Sequence, residues 1–254
     1  MAIAKPSKVK KTPVDKVSST VRRDIDKRDW QKIATSMDTE GWALVPNLIS
    51  AREARSIAAM YPDEHLFRSR IMMARHGFGR GQYKYFTYPL PPLITELRTS
   101  FYPHLAELAN TWMERMGKDT RYPLEHAEYL ERCRRAGQTK STLTLLEYGA
   151  GDYNALHQDI HGENVFPLQV AILLDEPVKD FEGGQFLMSE QRPRMQTRGI
   201  VVEPLNRGDG VIFAANDRPV RGSRGDYRVK MRHGVNQVRS GHRHTLGIIF
   251  HDDA

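Results

Sequence analysis

A single cysteine, Cys133, stands in the whole chain. One thiol cannot close an intramolecular disulfide, so a stapled scaffold is excluded and a reducing, cytoplasmic setting is expected. Long apolar runs are missing as well: no stretch of about 18 such residues occurs, so no transmembrane helix is expected. Met1 to Thr20 is basic but lacks the apolar segment of a secretory signal. Internal repeats are absent. Acidic residues are in deficit, with 31 Asp and Glu against 38 Lys and Arg, leaving a net charge of +7. That excess suits a polyanionic partner, although mild basicity is common and by itself only tilts the balance toward nucleic acid. With 39% hydrophobic residues, the chain can bury one substantial core.

What is present falls into a clear order. Residues 1–27, with Lys5, Lys8, Lys10, Lys11 and Lys16, read as a basic disordered arm suited to solubility or phosphate contact. Residues 28–254 read as one domain, with helical support and a substrate-gripping segment over 28–141 and a barrel over 142–254. A helix is expected from Asp29 through Met37, a strand over 41–45, a turn at Pro46-Asn47, and a second helix capped by Ser50. Residues 62–92 interleave Arg68, Arg70, Arg75, Arg80 and Lys84 with Phe78, Tyr83, Tyr85, Phe86 and Tyr88. Cations can hold phosphates while rings stack on bases, so this segment can grip a nucleotide. A β-hairpin packing its aromatics on the core explains the same alternation, and both readings stand. Gly77, Gly79 and Gly81 are expected to give this segment mobility. Pro92 to Met116 carries Leu93, Leu97, Phe101, Leu105, Leu108, Trp112 and Met116 at helical spacing, with Pro103 expected to kink or divide the helix. Another helix is expected over 125–135.

Strands dominate from Thr142 onward: 143–148, 155–159, 168–174, 185–189, 199–203, 210–214, 228–233 and 243–250. Eight short strands separated by turn signals fit an α+β chain whose core is a double-sheet jelly roll. Within it, His157-Gln158-Asp159 follows the turn at Gly149, Gly151 and Asp152. On a strand, residues i and i+2 share a face, so His157 and Asp159 should project together and Gln158 away. A histidine and a carboxylate side by side are two corners of an octahedral iron(II) site, and one distant imidazole, His233, would complete it. On the last strand Arg243 and Thr245 share a face, a guanidinium and a hydroxyl suited to a carboxylate.

The ordered set His157-x-Asp159, Gly183-Gly184-Gln185-Phe186, His233 and Arg243-x-Thr245 resembles the iron(II)/2-oxoglutarate-dependent dioxygenases over roughly residues 40–254. Within that superfamily, LLEYGAGDYNALHQD (145–159) and RPVRGSRGDYRVKMRHGV (218–235) resemble a prokaryotic AlkB-type group that oxidatively demethylates damaged DNA. One departure is Gln185, where many relatives carry an acidic residue that is not a metal ligand. The resemblance implies a double-stranded β-helix with N-terminal helices packed on one face. It implies Fe(II) on His157, Asp159 and His233, and 2-oxoglutarate held by Arg243 and Thr245, with O2 as oxidant. Tyr148 would line the cosubstrate pocket, or else serve as a core tyrosine; Asn154 and Gln169 are further pocket candidates. The implied partner is alkylated DNA, single-stranded or with the base extruded.

Several residues have plainer readings. His161, His242, His244 and His251 are expected to be bystanders: His161 in a turn, His242 and His244 facing away from Arg243, and His251 near an exposed end. Arg218, Arg221, Arg224, Arg228, Lys230 and Arg232 crowd the approach to His233, either as a solvated loop or as a polyphosphate site beside the active-site mouth. Tyr83, Phe86, Arg80, Arg221 and Arg224 are the expected substrate contacts. A protein or small-molecule hydroxylase of the same chemistry is the second reading, and a non-catalytic nucleic-acid-binding protein on the same fold the third.

Overall fold

The computed structural model describes residues 24–160, 162–202 and 205–254. Helix α1 (Trp30–Glu40) starts where the Asp29 carboxylate accepts from the Lys32 amide, and stops at Gly41, whose φ is +82°. Its buried face is Ile33 and Met37. Strand β1 (Trp42–Val45) follows, then α2 (Ala51–Ala58), opened by a reciprocal capping box between Ser50 and Glu53. The folded part begins before residue 28: Ile25 is fully buried and Asp26 lies 3.0 Å from His104. The rest of the expected arm, residues 1–23, lies outside the described residues.

Residues 62–92 form a hairpin of β2 (Phe67–Met72) and β4 (Gln82–Phe86), so the core-packing reading of this segment holds. Between the two runs a short excursion, β3 (Gly79–Arg80), pairs instead with the other sheet. Two of the three glycines here sit in close approaches: a Cβ on Gly79, at φ +123°, would come 2.4 Å from the Tyr153 carbonyl, and one on Gly81 2.9 Å from the Tyr148 ring. Helix α3 (Pro92–Arg115) is continuous through Pro103, so the proline does not divide it. Leu97, Phe101, Leu105 and Trp112 are fully buried along it. Helix α4 (His126–Arg135) packs beside it through Tyr129 and Cys133.

The remaining strands are β5 (Thr144–Tyr148), β6 (Tyr153–His157), β7 (Leu168–Leu173), β8 (Phe181–Gly183), β9 (Phe186–Gln191), β10 (Arg198–Val201), β11 (Gly210–Ala214), β12 (Asp217–Gly222), β13 (Gly225–Val235), β14 (Val238–Gly241) and β15 (Arg243–Ile248). They build a seven-stranded sheet, β1-β11-β7-β15-β5-β4-β2, and a second sheet, β10-β9-β13-β6-β3, with β12 paired to β13. β14 and β8 form a separate ribbon. Named strand pairs are antiparallel throughout. This is the expected α+β jelly roll, with two extensions the sequence reading did not place. Strands from the N-terminal third join the larger sheet at both edges, and β12 extends the smaller one as a hairpin with β13.

The helices grip the end of β15. Arg98 is buried, pairs with Asp252 at 2.9 Å, and donates to the carbonyls of Ile249 and His251. His126 Nε2 bonds the Phe250 carbonyl at 2.9 Å. His251 is fully buried, not near an exposed end, because these contacts draw the C-terminal segment under α3 and α4; the Phe166 amide donates to its ring. No helix among the described residues is long and apolar enough to cross a membrane.

Candidate active site

The metal-ligand set assembles by register. In the β13–β6 pair His233 stands directly opposite His157, and their ring centroids are 4.3 Å apart. β6 ends at His157, so Asp159 reaches the site from the turn beyond it and not by strand alternation. Gln158 diverges only in part: its amide donates to Asn216 Oδ1 and to the Met231 carbonyl, yet it borders the same cavity as the triad. Asp159 oxygens lie 3.5 Å from His157 Nε2 and 3.3 Å from His233 Nε2. The three ligating atoms fall within 4.8 Å of one another, as a single ion requires.

Local chemistry favours the ligating forms. His157 Nδ1 is 2.8 Å from the Ala155 carbonyl, an acceptor, so Nδ1 carries the proton and Nε2 presents its lone pair. The His233 ring lies between Phe186 and Phe213, at centroid distances of 6.1 and 4.6 Å. Burial, then the neighbouring His157, lowers its pKa and keeps it neutral. Burial alone would raise the Asp159 pKa, but the two imidazoles beside it outweigh burial and hold the carboxyl well below its usual range. A carboxylate beside a neutral imidazole is what a divalent cation binds.

Arg243 and Thr245, the residues expected to meet the cosubstrate, come from the other sheet. Arg243 is buried, 1% exposed, and no ion pair to it is found among the described residues. Its Nη1 donates to Thr245 Oγ1 at 2.5 Å, its guanidinium lies 5.7 Å from the Tyr148 ring centroid, and its Nε has no partner. A buried guanidinium without a counter-charge is costly, and an anionic ligand would offset that cost. Burial lowers its pKa, in keeping with the missing partner. Gly184, at φ +62°, explains half of the Gly-Gly pair, since a Cβ there would come within 2.8 Å of Arg243 Cδ.

A cavity of about 150 Å³ is lined by the triad and by Thr245, the hydrogen-bond partner of Arg243, while Arg243 itself is not on its lining. Tyr148, Asn154, Gln169 and Thr245 line it together with the triad. Asn154 donates to the Tyr148 hydroxyl at 3.4 Å, which leaves Asn154 Oδ1 and Gln169 Nε2 buried without partners. Tyr148 is fully buried, and its hydroxyl is met by a side chain rather than by backbone. Orphaned polar atoms beside an unpaired guanidinium fit an oxygen-rich dicarboxylate such as 2-oxoglutarate. At the mouth stand Phe78, Tyr83 and Tyr85, the two tyrosines edge to face at 5.3 Å.

Other expected contacts are placed differently. Phe86 is fully buried against Phe67 and cannot stack on a base. Alternation along β4 turns Tyr83 and Tyr85 toward the cavity and puts Phe86 with Lys84 on the opposite, buried face. Lys84 is also buried, donating to the Tyr61 carbonyl and Glu64. Arg80 is exposed at the rim, 3.9 Å from Asp152. Arg221 and Arg224 are exposed at the tip of the β12–β13 hairpin and do not line the cavity, Arg221 lying 3.8 Å from Asp226. Arg218 is fully buried, bound to Glu190 and to the Asp38 and Thr39 carbonyls, so it ties α1 to the sheet and faces no mouth. His244 points away from Arg243, as expected, and bonds Asp175 at 2.8 Å; His161 lies outside the described residues. Phe78 was one aromatic among several in the sequence, and nothing in the alternation of Tyr83 and Tyr85 marked it, because it belongs to the excursion that crosses the mouth.

Residues 81–253 match the sequence model of an oxygenase family described as "catalysing oxidative methylation of damaged DNA". An uncharacterized protein of Mycobacterium tuberculosis is 47% identical over 169 residues, 66% of this chain and 72% of the relative. Among solved structures, a 2OG-Fe(II) oxygenase family oxidoreductase from Burkholderia pseudomallei superposes with a TM-score of 0.53 at 15% identity, covering 90% of this chain and 94% of its own. A prolyl hydroxylase from Trichoplax adhaerens, bound to a hypoxia inducible factor peptide fragment, gives 0.50 at 14% identity, covering 88% and 93%. At these identities the structures establish a shared fold.

Proposed function

The chain belongs to the oxygenase family whose sequence model spans residues 81–253, and on that premise we propose that it oxidatively demethylates alkylated DNA bases. Iron(II), 2-oxoglutarate and O2 are the cofactor and cosubstrates that its residues fit. When bound, they supply the oxidation of a substrate C–H bond, with succinate and carbon dioxide released. His157, Asp159 and His233 would hold the ion, and Arg243 with Thr245 the far carboxylate, while Asn154 and Gln169 offer an acceptor and a donor within the same cavity. An N-methyl group oxidised to hydroxymethyl loses formaldehyde and restores the base.

The observation that carries the nucleobase is the aromatic lining, Phe78, Tyr83 and Tyr85, in the same cavity as the triad. Flat rings at that position suit a base taken out of its stack, where each stacked base contributes about 1–3 kcal/mol. The test is turnover on a panel of methylated oligonucleotides with iron and 2-oxoglutarate, followed by product mass. Loss of a methyl mass with formaldehyde release is expected. Succinate formation stimulated by a peptide or small molecule, with every oligonucleotide unchanged, would favour the hydroxylase reading that the prolyl hydroxylase neighbour's fold permits.

A further inference from the structure

No lysine or arginine lines the cavity above the triad among the described residues. Its mouth can stack a base, and Arg80 at the rim is already opposed by Asp152 at 3.9 Å. Cations with no carboxylate partner among the described residues lie elsewhere. β13 alternates: Val229, Met231 and His233 are buried on the inner face, while Arg228 and Lys230 are exposed and Arg232 half-buried on the outer one. The β13 part of the cluster, Arg228, Lys230 and Arg232, is therefore turned to the opposite side of the sheet.

There it lines a second cavity, of about 720 Å³. Arg192, Arg194, Arg228, Lys230 and Arg232 face it, with Asp217 as the opposing carboxylate. Two of these charges are already engaged: Arg192 with Glu190 at 2.5 Å, and Asp217 with Lys118 at 3.6 Å. For Arg194, Arg228, Lys230 and Arg232 no ion pair is found among the described residues. Four cations share a concave surface and repel one another unless an anion comes between them. Three of them recur at every second residue of one strand, about 6.8 Å apart. That repeat is comparable to the spacing of successive phosphates along an extended polynucleotide, and the row ends one residue before His233.

We propose that this outer groove binds the phosphodiester backbone of a polynucleotide, outside the catalytic cavity. This deepens the nucleic-acid reading of the site, on which it rests for its substrate class, but it requires no methyl group on the bound strand. A single phosphate would need one or two cations. A row of regular pitch on a flat strand suits a polymer of regular charge.

The experiment measures anisotropy of a labelled, unmethylated single-stranded DNA across a salt series, for the wild type and for the triple variant Arg194→Gln/Arg228→Gln/Lys230→Gln. All three side chains are exposed, and none touches the triad or Arg243. The wild type should give a linear log–log plot falling by about 0.7 per phosphate contacted. Losing three contacts should flatten the slope by about two units and weaken binding on the order of 100-fold at 0.1 M salt. The charge-keeping variant Arg194→Lys/Arg228→Lys should retain the slope, and 2-oxoglutarate turnover without DNA should be unchanged in both. An unaltered slope and affinity in the triple variant would overturn the groove, as would a wild type that binds phosphatidylserine vesicles as tightly as DNA. The repair reading fails separately. If unmethylated DNA binds as described but no methylated oligonucleotide is turned over, the groove stands and demethylation falls. If the triple variant demethylates oligonucleotides with wild-type KM, demethylation stands and the groove falls.

Discussion

The smaller sheet contributes His157 and His233 from adjacent strands, whereas the larger sheet contributes Arg243, Thr245, Tyr148 and Gln169. On the smaller sheet the ligands meet because one antiparallel register sets two histidines opposite each other, with Asp159 added from a turn. On the larger sheet the polar groups meet because β15 lies between β5 and β7, and Arg243 pairs with Tyr148 across β5. Support differs as well. Phe186 and Phe213 flank the His233 ring, while α3 and α4 hold the end of β15 through Arg98 and His126. Metal binding and cosubstrate binding should therefore be separable by mutation, although they share one cavity.

The sharpest break is on the metal side. Replacing His157, Asp159 or His233 with alanine should bring iron-dependent succinate formation down to background while circular dichroism stays native. Full turnover in any of the three, with iron added, would remove that residue from the ligand set. On the other side, Arg98→Ala leaves the buried Asp252 without its counter-charge, with only the Tyr88 hydroxyl still donating to its carboxylate, and should cost about 3–5 kcal/mol of stability, read by urea unfolding. Iron affinity below the unfolding transition should hardly change, since the helices brace β15 and not β6.

Next in size is Arg243→Ala. It should weaken 2-oxoglutarate binding by about 2–5 kcal/mol in calorimetry, as when one member of a buried charge pair is truncated. Iron should still bind. A joint loss of both would show that the two sheets do not act independently.

A smaller effect follows from His126, whose pKa is pushed down to about 3 by burial and then by Arg98, against the opposing bond to Phe250. The unfolded chain protonates this ring near pH 6.5. Between those values the unfolded state binds more protons, so stability falls as pH falls, by about 1.4 kcal/mol per unit from this group. From pH 6.5 to pH 5 that amounts to about 2 kcal/mol, and His126→Gln should flatten the dependence by that amount in urea titrations.

The sequence carried the ligand set better than its surroundings. His157, His233, Arg243 and Thr245 lie on strands whose periodicity is visible, and periodicity settles which residues share a face. Asp159 ended in the right place for the wrong reason, because a strand's last residue cannot be read from hydrophobicity. The charged residues were less readable. Arg218 and Arg232 sit in one dense run, yet one is buried in an ion pair and the other faces the outer groove. Composition records charge but not the face it occupies, and that face is set by the pairing of β12 with β13, which the turn signals alone did not reveal. Phe86 erred for a related reason: alternation along β4 puts it with Lys84 on the buried face, opposite Tyr83 and Tyr85.

The division of labour between the sheets is tested most directly by diffraction from crystals grown with manganese(II), an oxygen-inert stand-in for iron(II), and 2-oxoglutarate. Anomalous signal should place one ion about 2.0–2.2 Å from His157 Nε2, His233 Nε2 and an Asp159 oxygen. The far carboxylate of 2-oxoglutarate should lie about 2.7–2.9 Å from the Arg243 guanidinium. An ion bound elsewhere, or a cosubstrate whose far carboxylate is held by any group other than Arg243, would contradict the account.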